Sequence, residues 1–214
     1  MYMHKNIDRQ NLSPKQALDI LIDGNKRFIG NAQQNYDLST VRAMIKEKQN
    51  PIAAVLGCSD SRTTLELIFD QSLGDIFSVR LAGNIASRKA IGSLEFSCKY
   101  LGSKIIVVMG HSNCGAIKAA CDHYKGGNIG EITRLIEPAI EQEKTILDPN
   151  RHSRNNDYVE RVCFLNVQKQ IKTILSDSEI IRDLLKEQKI GLIGGIYNLD
   201  SGLVEFDTKN FILS

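Results

Sequence analysis

The sequence predicts an α/β fold: a mostly parallel sheet of four to five strands with an antiparallel edge strand, flanked by helices and preceded by an amino-terminal helical arm. Three observations carry that prediction. Residues 52–56 and 105–109 are apolar at every position and too short for a core helix, which is how a parallel strand buried on both faces reads. Segments of helical periodicity stand between the strands, and strand–helix–strand alternation implies parallel neighbours joined by crossovers. Near the end, residues 190–197 and 203–206 are linked through Asp200-Ser201-Gly202, a turn sequence that pairs them as a hairpin and makes the last strand antiparallel. At 214 residues the chain has the length of one domain, 1–214, divided into a helical arm over 1–50 and an α/β core over 51–214.

Each element has its own local reason. Ser13 and Pro14 open the first helix, because a serine oxygen caps free amides and proline tolerates the first helical position. Ala17, Leu18, Ile20, Leu21 and Phe28 mark its apolar face, and it ends near Gly30. A polar linker over 31–37 leads to a second short helix, 39–48, which Asn50-Pro51 ends before the first strand. Thr63 and Thr64 offer a cap to a helix carrying Leu65, Leu67, Ile68 and Phe69, and Gly74 ends it. Residues 75–80 form a strand anchored by Ile76 and Val79, running into Leu81-Ala82-Gly83-Asn84. Ser87 caps a helix through Tyr100, with Gly102 at its end, and the strand over 104–109 follows. The helix after Cys114 brings its free amides beside that cysteine, which favours a thiolate. From 128 to 188 the pattern is helical, at 129–144, 155–175 and 178–186, broken by Asp148-Pro149-Asn150; it reads as a lid or flanking layer.

Composition excludes several classes. Hydrophobic residues at 42% and charged residues at 24% belong to an ordinary globular protein, and the net charge of +2 comes without a basic run for nucleic acid. No apolar stretch approaches the ~20 residues of a membrane span. Five cysteines, an odd number without framework spacing, read as reduced thiols, and the start Met1-Tyr2-Met3-His4-Lys5-Asn6 lacks the apolar core of a signal peptide. A cytoplasmic location is the expectation. The Gly-x-Gly-x-x-Gly spacing of a dinucleotide site is absent, and no Lys follows a glycine loop as a P-loop requires.

Two motifs stand where α/β sheets place chemistry, at the carboxyl ends of strands: Cys58-Ser59-Asp60-Ser61-Arg62 and His111-Ser112-Asn113-Cys114-Gly115. Cys58, His111 and Cys114 form a Cys2His set with a fourth position left over, the pattern of a catalytic rather than a structural zinc. Asp60 either fills that position or accepts a hydrogen bond from a water there. Arg62 is its partner, since a guanidinium makes bidentate bonds to a carboxylate. Two other readings stay open: a zinc-stabilised structural or binding module without turnover, and a cysteine-dependent enzyme in which Cys58 or Cys114 pairs with His111. The second leaves one cysteine and the Asp60–Arg62 pair without a role. Cys98, Cys121 and Cys163 read as packing, His4 and His152 as solvated, and His123 as a candidate for carrying protons out of the site.

Cys-x-Asp-x-Arg followed at a distance by His-x-x-Cys-Gly resembles the β-class carbonic anhydrases over about residues 51–115. The resemblance implies zinc-dependent, reversible hydration of carbon dioxide to bicarbonate and a proton by a zinc-bound hydroxide, with one zinc ion per chain. It implies Cys58, His111 and Cys114 as zinc ligands and Asp60 and Arg62 as a catalytic dyad, with Asp60 the fourth ligand in an inactive state. It further implies that the Gly115 amide and Gln71, in Phe69-Asp70-Gln71, bind substrate. The partners implied are carbon dioxide and bicarbonate, and a homodimer or homotetramer whose amino-terminal helix lies across a neighbouring subunit. Some members bind inhibitory bicarbonate at a second site built from a tryptophan, an arginine and a tyrosine. Arg80 and Tyr197 match two of these, but the chain has no Trp and Val55 stands at the first position, so this inhibition is expected to be missing or weak.

Overall fold

The computed structural model describes residues 8–213. Its five strands, β1 (Ala53–Gly57), β2 (Ile76–Arg80), β3 (Ile105–His111), β4 (Gly191–Tyr197) and β5 (Val204–Phe206), form one sheet in the order β2-β1-β3-β4-β5. All neighbours are parallel except β4 and β5, which pair antiparallel from Gly195↔Phe206 to Tyr197↔Val204. The helices are α1 (Pro14–Ile29), α2 (Leu38–Ile45), α3 (Leu65–Ile68), α4 (Arg88–Phe96), α5 (Gly115–Cys121), α6 (Gly127–Gln142), α7 (Asn156–Asp177) and α8 (Glu179–Lys186).

The two-residue period of a strand divides the apolar runs between two faces. Ala53 and Val55 of β1, with Ile105, Val107 and Met109 of β3, pack against Leu18 and Leu21 of α1 and Leu65 and Ile68 of α3. Their alternates, Ala54, Leu56, Ile106 and Val108, pack against α4, the middle of α7 and α8. A third cluster, around Cys58 and Cys114, gathers Ile117 of α5, Ile136 and Ile140 of α6 and Val159 and Val162 of α7. The helical region after residue 128 is therefore a flanking layer over the sheet.

Helix α1 begins with the expected cap, in reciprocal form: Ser13 Oγ accepts from the Gln16 amide and Gln16 Oε1 accepts from the Ser13 amide. Its buried face is taken up within this chain, where Asn25 also bonds the carbonyls of Ile68 and Gly202 and the amide of Val204. Helix α2 buries only Val41 and leaves Leu38 and Met44 exposed. The α1–α3 contact is close enough that a Cβ on Gly24 would lie 1.8 Å from the Phe69 carbonyl oxygen. Gly24→Ala is therefore expected to lower stability by about 1–3 kcal/mol or more, read as a lower urea midpoint with unchanged slope; an unchanged midpoint would contradict this packing.

Three local expectations change. Thr64 takes the N-cap of α3 without a side-chain bond while the Thr63 hydroxyl bonds carbonyls of the preceding turn, and the helix is a single turn ending at Ile68, the chain turning out of it through Asp70 in the left-handed region at φ +45°. The chain after β5, read from sequence as no element, returns to the sheet: Ile212 bridges Leu192 antiparallel, satisfying edge groups of β4 that β5 is too short to reach. His152 is half-buried rather than solvated, and its Nδ1 is buried. His4 lies outside the described residues. Among the described residues no helix is long and apolar enough to cross a membrane.

Candidate metal centre

Strands β1 and β3 are direct neighbours in parallel register, Val55 opposite Val107, so their carboxyl ends come out side by side at the same end of the sheet. The first motif leaves β1 there in a turn whose carbonyls are held from one side. Thr63 Oγ1 donates to the carbonyls of Cys58 and Asp60, and Arg80 on β2 donates Nε to Cys58 O at 2.9 Å and Nη2 to Asp60 O at 2.6 Å. The second motif leaves β3 through Asn113, in the left-handed region at φ +56°, a conformation asparagine tolerates. Cys114 then takes the N-cap of α5, placing the Gly115 amide in the first turn, among amides with no partner inside a helix.

The two turns bring the predicted ligands to one point. The sulfurs of Cys58 and Cys114 are 4.0 Å apart, and the ligand atoms of Cys58, His111 and Cys114 all lie within 4.8 Å of one another. Two sulfurs each 2.3 Å from one ion at a tetrahedral angle stand about 3.8 Å apart, so the spacing fits zinc. His111 is 1% exposed; its Nδ1 lies 2.9 Å from the Ser112 carbonyl, which assigns the ring proton to Nδ1 and leaves Nε2 as the free lone pair. Nε2 is buried without a hydrogen-bond partner among the described residues, an orphan that a metal explains. The Cys58 thiol ionises readily because Cys114 hydrogen-bonds its sulfur, while that neighbouring sulfur and burial raise Cys114. The remaining cysteines contrast with this pair. Cys98, Cys121 and Cys163 are buried thiols pushed up to about 12, chiefly by desolvation, as packing residues should be.

Asp60 and Arg62 form the bidentate pair: Arg62 Nε lies 2.9 Å from Oδ1 and Nη2 lies 2.7 Å from Oδ2. Arg62 holds the Asp60 carboxyl well below the usual carboxylate range. Oδ2 also stands 4.0 Å from His111 Nε2, so the carboxylate borders the metal position while turned toward Arg62. Gln71 does not join this group. Its Nε2 donates to the carbonyls of Phe69 and Asp70, beside Gly24 of α1. Tyr197 and Val55 lie buried in the α1-side cluster. Among the described residues Cys58, His111 and Cys114 are the one group arranged for a metal; Cys121 packs with α6 and His123 is exposed.

Several supporting residues escape a reading by motif. Thr63 and the Gly83 amide, which donates to Cys58 Sγ at 3.3 Å, act on the first turn, and Cys163 donates its thiol to the His111 carbonyl at 3.3 Å. Asn166 and Gln170 carried a signal, two carboxamides four residues apart on the face of α7 that also holds Cys163, Val167 and Ile174.

Comparison with known proteins agrees with this geometry. The carbonic anhydrase family model matches residues 53–204. Carbonic anhydrase 2 of Mycobacterium tuberculosis is 31% identical over 198 residues, covering 90% of this chain and 92% of that protein. A structure of two tetrameric β-carbonic anhydrases from Sordaria macrospora superposes with a TM-score of 0.70 at 26% identity, over 89% of this chain and 96% of that one. The β-carbonic anhydrase of Coccomyxa in complex with acetazolamide gives a TM-score of 0.68 at 25% identity, over 78% of this chain and 76% of that one. With the zinc-fitting Cys58–His111–Cys114 group at the end of its parallel sheet, the chain belongs to the β-class carbonic anhydrases, zinc enzymes that interconvert carbon dioxide and bicarbonate.

Proposed function

We propose that Asp60 and Arg62 are the catalytic dyad of carbon dioxide hydration at a zinc held by Cys58, His111 and Cys114. The observation that supports this is the bidentate Asp60–Arg62 pair at the edge of three convergent ligand atoms. Zinc at that point acts as a Lewis acid, able to lower the pKa of a bound water from 15.7 to about 7 in favourable sites. Asp60, kept ionised by Arg62, is an acceptor only, so it takes a hydrogen bond from the attacking oxygen and aims that oxygen's lone pair at carbon dioxide. Arg62 holds both carboxylate oxygens and so keeps Asp60 from closing the fourth metal position. Breaking that pair frees Asp60 to become the fourth ligand, the inactive arrangement. The Gly115 amide donates to an oxygen of the forming bicarbonate.

Chelation tests the reading. Turnover is expected to disappear when zinc is stripped and to return with one equivalent per chain; turnover that survives chelation would assign the site to thiol chemistry.

The same proposal covers assembly and location. A homodimer or homotetramer is supported by exposed Leu38, Met44, Leu67 and Leu73, and by Gln71, whose buried Oε1 has no hydrogen-bond partner among the described residues and whose substrate role would be played across a subunit boundary. A cytoplasmic location is supported by five unpaired cysteines. Bicarbonate inhibition at a second site should be missing or weak, because Arg80 is engaged by the Cys58 and Asp60 carbonyls and Val55 stands where some members have tryptophan. Initial rates are expected to show only mass-action inhibition by bicarbonate; stronger inhibition, relieved by replacing Arg80, would contradict this.

A further inference from the structure

The Gly83 amide that donates to the Cys58 sulfur comes from the 3₁₀ turn Ala82–Asn84, just after β2. Gly83 has φ +70°, and a Cβ there would come within 2.9 Å of Ile136 Cδ1 and 3.3 Å of Ala116 Cβ, so the turn is seated tightly against α5 and α6. Helix α7 grips it from the remaining side. Asn166 Nδ2 donates to the Gly83 carbonyl at 2.9 Å, Gln170 Nε2 donates to Asn166 Oδ1 at 2.8 Å, and Gln170 Oε1 accepts from the Ala86 amide at 2.9 Å. Asn166 is fully buried and Gln170 is 3% exposed. Burying two carboxamides costs free energy that apolar side chains on the same face would not; here both bond the 82–86 loop, and Gln170 Nε2 also reaches the Leu135 carbonyl of α6 at 3.5 Å.

We propose that Asn166 and Gln170 are positioning residues for the metal centre, holding the 82–86 loop so that the Gly83 amide donates to the Cys58 sulfur. The need for such a donor follows from the ligand set. Two thiolates cancel the formal charge of a divalent ion and weaken its pull on water. An N–H donor draws electron density off one of them, returning part of that pull, and fixes the direction of its lone pairs. The proposal rests on Cys58 as a metal ligand.

Cobalt-substituted protein reads both points. Wild type is expected to show a thiolate-to-cobalt charge-transfer band; a protein that takes up cobalt without one fails the ligand assignment itself. In Asn166→Leu, whose side chain keeps the branching and heavy-atom count and loses both the donor and the acceptor, the band is expected to move to longer wavelength, since a thiolate without its hydrogen bond is the better electron donor. Zinc transfer to a coloured chelator should become about 10–100-fold faster, the size typical of lost outer-shell partners. Ile174→Ala, a cavity on the same helix away from the loop, is the control: it should lower thermal stability and leave both band and release rate at wild-type values. A wild-type band in Asn166→Leu, or an equal shift in Ile174→Ala, would overturn the proposal. Should Asn166→Leu fail to fold, Gln170→Met decides, with a smaller shift in the same direction expected and no shift overturning it.

Discussion

Replacing any one of Cys58, His111 or Cys114 with alanine is expected to reduce bound zinc far below one ion per chain and to bring carbon dioxide hydration down to the buffer background. Among the described residues these three side chains are the group arranged for a metal, and each is presented at the carboxyl end of β1 or β3, strands the sheet holds side by side. Outer-shell partners alone are commonly worth 10–100-fold in affinity or activity, so loss of a direct ligand should exceed about 100-fold. Zinc content and hydration rate measured on the same purified sample provide the check. A Cys114→Ala protein that keeps stoichiometric zinc and near-normal turnover would remove that residue from the centre. Because the third core cluster packs directly on Cys58 and Cys114, the variants should also be compared by thermal unfolding, to separate metal loss from collapse of the α5–α6–α7 corner.

Arg62→Ala is the second large effect, and it differs in kind. Arg62 is half exposed and contributes no ligand, so zinc should stay bound while turnover falls by about 10²–10⁴-fold, the range of a lost proton-handling group. Asp60→Asn should match it in size, because each variant breaks the same bidentate pair. The two separate in the cobalt spectrum. With Arg62 gone, the Asp60 carboxylate is released toward the fourth metal position and the ligand-field bands change. In Asp60→Asn the carboxylate gives way to a neutral amide, a much weaker ligand for the ion, and the bands should stay close to wild type. Near-normal turnover in Arg62→Ala would take the dyad out of the mechanism.

Much of this was legible in the chain because parallel strands and their loops write themselves locally. The uninterrupted apolar runs at 52–56 and 105–109 mark β1 and β3, and in a parallel sheet their carboxyl ends are where cysteine, histidine and aspartate become a site rather than packing. The Ser13 cap and the hairpin turn at Asp200-Ser201-Gly202 were equally local signals. What stayed hidden depends on tertiary approach. Thr63 reads as a helix cap, yet its hydroxyl is claimed by the carbonyls of Cys58 and Asp60 once Arg80 and the turn are assembled. Ile212 has no strand pattern of its own and pairs only because β5 leaves an edge uncovered. The carboxamides of Asn166 and Gln170 lie more than eighty residues from the Gly83 loop they hold, a distance that periodicity within one helix does not bridge.

The most direct test of the central claim is stopped-flow hydration of carbon dioxide from about pH 6.5 to about pH 9, spanning the ~7 expected of a zinc-activated water, on protein whose zinc per chain has been determined. One zinc per chain with fast turnover that rises with pH is the predicted result. One zinc per chain with no turnover even at the alkaline end would mean a closed metal site, and would contradict the account.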